Sequence, residues 1–157
     1  MAKTNAMRIL ESMKIQYTTA EYTVNPEDLS GTHVAEMLGE PEEIVFKTLV
    51  TRSDKNEIIV FCIPVNGELD LKKCAVAAGV KRLELTTVKE LLALTGYIRG
   101  GCSPIGMKKK YRTFLDSSAE NLDMLYVSGG QRGVQICLHA KDLVKAAGAT
   151  MADLCRK

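Results

Sequence analysis

Two runs of almost unbroken apolar character, Ile44 to Thr51 (IVFKTLVT) and Glu57 to Val65 (EIIVFCIPV), constrain this chain more than any other feature. Both have strand length and are rich in β-branched residues, and the polar Arg52-Ser53-Asp54-Lys55-Asn56 joins them at hairpin length. A strand with one wet face alternates polar and apolar residues. These runs do not alternate, so they read as central strands covered on both faces. The fold must therefore supply layers on either side of them.

The rest of the chain supplies those layers. Ala6, Ile9, Leu10 and Met13 fall at helical spacing behind Thr4 or Asn5 as N-cap. Gln16 to Val24 reads as a strand, and His33 to Leu38 as a short helix closed by Gly39 and stopped by Pro41. Asp70 caps a helix whose Leu71, Cys74, Ala75 and Ala78 share a face, and Thr87 with Glu90 forms a capping box for a helix ending at Gly96. Arg112–Asp116, Met124–Ser128 and Val134–Leu138 read as further strands, before a last helix striped by Ala140, Leu143, Val144 and Ala147. Strands and helices mix without strict alternation, which predicts an α+β fold: one compact domain over 1–157, a mixed and partly barrel-like sheet flanked by helices.

Composition narrows the function classes. With 157 residues, 46% hydrophobic and 25% charged, the chain has the balance of a globular domain that buries roughly 70% of its unfolded surface. No stretch approaches the ~20 apolar residues of a membrane span, and charges interrupt the N-terminal apolar positions, so neither a membrane partner nor a secretory signal is expected. Five scattered cysteines without a C-x-x-C pair argue against a disulfide framework and a structural zinc site, and for a cytoplasmic chain with reduced thiols and no metal. A net charge of +2 is compatible with an RNA partner without requiring one.

Lys47 is the first candidate for chemistry, because a cation in so apolar a strand either snorkels to water or meets an anion, holding a phosphate or polarising a carbonyl. Gly96-Tyr97-Ile98-Arg99-Gly100-Gly101-Cys102-Ser103-Pro104-Ile105-Gly106 has four glycines in eleven residues, so its backbone can approach a ligand and present N–H groups; an irregular loop is the plain alternative. It is neither a Walker loop nor a dinucleotide fingerprint. Ser128-Gly129-Gly130-Gln131-Arg132-Gly133 suits either a hairpin turn or a pocket rim. His33 and His139 are the only histidines, at a helix's first turn and a helix entrance, and neither sits in a triad motif. Arg99 and Lys108 flank Cys102 and would activate its thiol, against the commoner outcome of an inert buried cysteine. Lys108-Lys109-Lys110-Tyr111-Arg112 is either solvated surface or a grip on polynucleotide phosphates.

Together, Phe46-Lys47-Thr48-Leu49, the Gly96-Tyr97 to Gly106 segment with Lys108-Lys109, and Val127-Ser128-Gly129-Gly130 with Arg132-Gly133 resemble the YbaK/EbsC family of free-standing deacylases for Cys-tRNA(Pro). The related insertion domain of bacterial prolyl-tRNA synthetases edits Ala-tRNA(Pro); the Gly96-Tyr97-x-x-Gly100-Gly101 run is more similar to the cysteine-directed branch. The resemblance implies a cleft for the aminoacyl-adenosine end of tRNA, with Lys47 essential and Gly100 and Gly101 supplying amides near the scissile carbonyl. It further implies that Tyr22, Thr48 and Ser128 line the pocket, with Gly129 and Arg132 in the same substrate-binding group. No cofactor and no DNA partner are implied, and prolyl-tRNA synthetase is the expected helper. The implied reaction is removal of cysteine from Cys-tRNA(Pro), and also from Cys-tRNA(Cys), by the substrate's own thiol, giving a cysteine thiolactone. A water-dependent deacylase of Ala-tRNA(Pro) or another small mischarged amino acid is the alternative within editing. A non-catalytic RNA- or ligand-binding regulator and an enzyme built on Cys102 are the alternatives outside it.

Overall fold

The two apolar runs pair as the sequence predicts. In the computed structural model, which describes residues 2–157, β2 (Phe46–Ser53) and β3 (Ile58–Pro64) form an antiparallel hairpin in the register Phe46–Pro64 to Arg52–Ile58. They sit inside a five-stranded sheet of order β4-β2-β3-β5-β8, with β4 at Leu83–Leu85, β5 at Arg112–Asp116 and β8 at Ala149–Ala152. β3, β5 and β8 run parallel while β2 and β4 oppose their neighbours, so this sheet is mixed.

The connection from β5 to β8 carries two strands of a separate sheet. β6 (Met124–Ser128) and β7 (Val134–His139) form a hairpin, and β1 (Thr18–Glu21) pairs with the outer side of β7, giving a three-stranded antiparallel sheet of order β1-β7-β6. Expectation and structure differ here: the strands divide into two sheets, joined through the parallel Val45–Tyr126 bridge, and the barrel-like curve stays open. The strand read over Gln16–Val24 is ordered as β only from Thr18 to Glu21.

Strand alternation decides what packs where. Phe46 and Val50 of β2, Val60 and Cys62 of β3, Leu125 and Val127 of β6, and Val134, Ile136 and Leu138 of β7 meet in the main core. Helices α1 (Asn5–Ser12) and α5 (Ala140–Ala147) close that core with Ala6, Met7, Leu10 and Leu143. On the other face of β3, Ile59, Phe61 and Ile63 pack under α3 (Leu71–Ala78) through Cys74, Ala75 and Ala78. β3 is thus covered on both sides, which is why its sequence does not alternate.

The helix ends are held as the sequence implies. Thr4, not Asn5, caps α1, Asp70 caps α3 through the Lys72 and Lys73 amides, and Thr87 with Glu90 completes the capping box of α4 (Val88–Thr95). Such caps contribute about 1 kcal/mol each. A smaller apolar cluster of Val34, Ala35, Val45 and Val65 seats α2 (Gly31–Leu38) beside the start of β2. A Cβ on Gly31 would stand 2.3 Å from the Val65 side chain, so the helix reaches that position only with glycine there. No helix among the described residues is long and apolar enough to cross a membrane.

Candidate active site

A cleft of about 410 Å³ lies between the start of β2 and the end of β6, within the range of small-molecule sites. β2 contributes Phe46, Lys47, Thr48 and Leu49; the three-stranded sheet contributes Ser128 and Gln135; the glycine loop contributes Arg99, Gly100 and Cys102. The first turn of α2 closes one side with Ser30, Gly31, Thr32 and Val34. Four of the predicted residues, Lys47, Thr48, Gly100 and Ser128, therefore converge from separate parts of the chain.

The other four lie beside the cleft rather than in its wall. Tyr22 packs against the cluster of Val34, Val45 and Val65, and its N–H donates to Gly133 O. The Gly129 N–H donates to Val134 O, and a Cβ there would meet Val134 Cγ1 at 2.9 Å, so Gly129 shapes the hairpin. Arg132 donates from Nε to Arg99 O at 2.8 Å and so ties that hairpin to the glycine loop. Gly101 is the informative case: its N–H donates to Ile98 O at 2.9 Å, and its Cα lies against the Gln131–Arg132 backbone with no room for a Cβ. It fixes the loop's shape, while the neighbouring Gly100 lines the cleft at φ +85° with its N–H donated to no protein acceptor among the described residues.

The loop is stiff despite its glycines. Tyr97 is buried and donates its hydroxyl to Ile105 O at 2.7 Å and Gly106 O at 3.2 Å. Burial pushes that phenol up to about 12, so it remains a donor throughout the neutral range. Thr95 accepts the Tyr97 N–H on its hydroxyl, and its carbonyl accepts the Lys108 N–H.

Charge in the cleft has one sign. Among the described residues, Lys47 and Arg99 line it, and no Asp, Glu or His does. The Lys47 ammonium, on a half-buried side chain, makes no hydrogen bond or ion pair among the described residues. An unpaired cation held on a rigid strand is set to meet an anion or developing negative charge. For Cys102 the structure favours the inert buried thiol over the activated one. Burial, only partly offset by the Thr95 hydroxyl, pushes it up to about 11, so the thiol is not ionised at neutral pH. Lys108, Lys109 and Lys110 are exposed beyond the loop, outside the cleft wall.

Residues 29–146 match the profile described as the aminoacyl-tRNA editing domain. The chain belongs to that family. It is 45% identical over 155 residues, 99% of this chain and 94% of the other, to the Enterococcus faecalis protein named “Putative Cys-tRNA(Pro)/Cys-tRNA(Cys) deacylase EbsC”. Over 90 residues, 57% of this chain, it is 31% identical to 16% of a proline–tRNA ligase of Brachyspira hyodysenteriae. Among solved structures, one described as “a putative trans-editing enzyme for prolyl tRNA synthetase” superposes with a TM-score of 0.81 at 21% identity, covering 100% of both chains. That likeness concerns the fold alone.

Reading the sequence had missed the first turn of α2 and Gln135. Ser30 is an N-cap followed by the glycine that lets the helix approach, a signal available in Leu29-Ser30-Gly31-Thr32. Gln135 stands between Val134 and Ile136 in an alternating strand, where the pattern alone predicts an exposed residue. It is instead 5% exposed.

Proposed function

We propose that this protein deacylates mischarged tRNA in trans, releasing cysteine from Cys-tRNA(Pro) and, without a helper that selects the tRNA, from Cys-tRNA(Cys). The observation that carries this reading is Lys47, a cation that, among the described residues, has no partner and shares its cleft with no carboxylate. Such a cleft suits the phosphate and ester end of an aminoacyl-tRNA. The name of the Enterococcus relative supports the amino acid and the tRNA.

The chemistry asks little of the protein. An aminoacyl ester is already activated, and a cysteinyl group carries its own nucleophile. Its sulfur attacks its own carbonyl carbon, a C–S bond forms as the C–O bond to the ribose breaks, and the thiol proton ends on the ribose oxygen that leaves. Holding both groups in one bound conformer replaces a bimolecular encounter. Lys47 orients the terminal nucleotide and its ester, and the free Gly100 N–H stabilises the oxyanion. Thr48 and Ser128 shape the pocket, while Gly101, Gly129 and Arg132 keep the loop and hairpin in place. Tyr22 supports the wall from behind Val45 and Val65. The similarity to a proline–tRNA ligase favours prolyl-tRNA synthetase as the partner that selects the tRNA.

The same similarity favours one competing reaction, water-dependent release of alanine from Ala-tRNA(Pro). Release of amino acid from Cys-tRNA(Pro) and Ala-tRNA(Pro), measured side by side with wild type and Lys47→Ala, separates the two. Loss of cysteine alone, abolished by alkylating the substrate thiol and by Lys47→Ala, is the expected result. Loss of alanine, or indifference to alkylation, moves the protein to the water-using branch. Turnover of neither substrate leaves a binding module.

A further inference from the structure

Among the described residues, the cleft wall holds one fully buried side-chain polar atom without a hydrogen-bond partner. Ser30 Oγ donates to Asp28 Oδ1 and accepts the His33 N–H, and Thr32 Oγ1 lies 3.3 Å from Ser30 Oγ. Thr48 Oγ1 contacts Cys62 Sγ at 3.8 Å, and Ser128 Oγ accepts the Gly130 N–H. Every hydroxyl in the wall therefore has a partner within the protein. Gln135 does not: its Oε1 is buried with no hydrogen-bond partner among the described residues, on a residue that is 5% exposed and lines the cleft.

A polar atom sealed from water and left unpaired is unfavourable in the free protein, and such atoms are rare enough to need a reason. Strand register supplies the setting. Gln135 is the direct cross-strand partner of Ser128, and alternation sets both off the face that Val134, Ile136 and Val127 commit to the core. The carboxamide is held by β7 with paired strands on both sides, so it is a fixed feature and not a mobile surface group.

An acceptor of this kind demands a donor from the ligand. On an aminoacyl ester the strong donor is the α-amino group, which is charged or neutral near pH 7–8 and donates N–H in either form. No carboxylate among the described residues lines the cleft to receive it, and Lys47 and Arg99 repel a cation from their side. We propose that Gln135 Oε1 accepts the α-amino N–H of the esterified amino acid, which makes the Ser128–Gln135 pair the amino-acid end of the cleft and leaves Lys47 and Gly100 to the ester and nucleotide. This rests on the deacylase reading. It adds a recognition element indifferent to the side chain: the cleft accepts an α-amino acid and selects against an acyl group without the amine.

The test uses stable ligands, so turnover is not required. 3′-Amino-3′-deoxyadenosine carrying cysteine in amide linkage is compared with the same nucleoside carrying 3-mercaptopropanoate, which lacks only the α-amine. Calorimetry on the full chain gives both dissociation constants for wild type and Gln135→Met, a change close in shape without the acceptor. The expected result is at least a tenfold preference of wild type for the cysteinyl ligand, and a preference within twofold for Gln135→Met with its melting temperature not lowered. A preference that survives in Gln135→Met, or equal binding of both ligands to wild type, overturns the proposal and leaves the deacylase reading standing. Binding of neither ligand to wild type, with no release from Cys-tRNA(Pro), overturns both. Should Gln135→Met melt early, Gln135→Glu decides: a carboxylate there strengthens the preference, and an unchanged or weakened preference rejects the assignment.

Discussion

Lys47 and Gln135 reach the same cleft from different sheets, and neither the Lys47 ammonium nor Gln135 Oε1 has a partner among the described residues. Lys47 sits on β2, half-buried, with its charge left to whatever enters. Gln135 sits on β7, almost fully enclosed, with a neutral acceptor. A half-buried ammonium keeps part of its hydration, so leaving it unpaired is tolerable until an anion arrives. An enclosed carbonyl oxygen has no such relief. The same lack of a partner therefore means different things on the two walls: a charge kept available on one, and a stability deficit tolerated for recognition on the other.

The largest effect that could break this comparison is on the β2 wall. Lys47→Met should lower release of cysteine from Cys-tRNA(Pro) by about 10²–10³-fold, the usual loss for one charge-stabilising group, with a cooperative melt and unchanged circular dichroism. Activity within fivefold of wild type would make Lys47 an ordinary snorkelling lysine. Next come the glycines that let the walls approach. Gly101→Ala drives a methyl into the Gln131–Arg132 backbone at 3.0 Å and should destabilise by about 1–3 kcal/mol, measured by urea unfolding, with activity falling as the loop shifts. Gly31→Ala should do the same through Val65. If either is neutral in stability and activity, the walls are more compliant than their contacts indicate.

Gln135→Met sharpens the contrast through stability alone. Removing an unsatisfied buried acceptor should leave the free protein unchanged or more stable by up to about 1 kcal/mol. A loss of more than 1 kcal/mol would mean that the carboxamide supports the fold. Smallest of all is Cys102→Ala, expected to keep activity within about twofold. Its thiol titrates only at about 11, so iodoacetamide labelling should accelerate above pH 10 and stay slow near pH 7, when Cys102 is followed by peptide mass spectrometry. Rapid labelling at neutral pH would restore the cysteine-enzyme reading.

Much of this could be read before any coordinates, for local reasons. Caps act within one turn, so Thr4, Asp70 and the Thr87–Glu90 box were legible from spacing. Lys47 stood out because a charge in an apolar strand is anomalous whatever the topology. Non-local pairing hid the rest. Leu83–Leu85 is too short to announce a strand and exists by pairing with β2 at Thr51–Ser53. Ala149–Ala152 holds two alanines, poor strand formers, and is extended because β5 offers a parallel edge. The division into two sheets depends on backbone pairing between them shrinking to the isolated Val45–Tyr126 bridge just before β2, which no local pattern encodes. Gln135 obeys alternation as an outward residue, but it faces a cleft that the first turn of α2 and the glycine loop also line, so burial there is a tertiary event.

The wall that lacks any carboxylate or imidazole has a consequence for kinetics. Among the described residues the cleft is lined by a lysine, an arginine, hydroxyls, a carboxamide and an un-ionised thiol, and by no histidine, the side chain whose ordinary charge change falls between pH 5 and 8. Any inflection of the rate in that interval then belongs to the substrate, to the sulfur that must lose its proton or the amine that Gln135 receives. The pH profile should move when the amino acid is chemically altered and stay put when the protein's side chains are exchanged, so this protein's acid–base chemistry arrives with each molecule it acts upon.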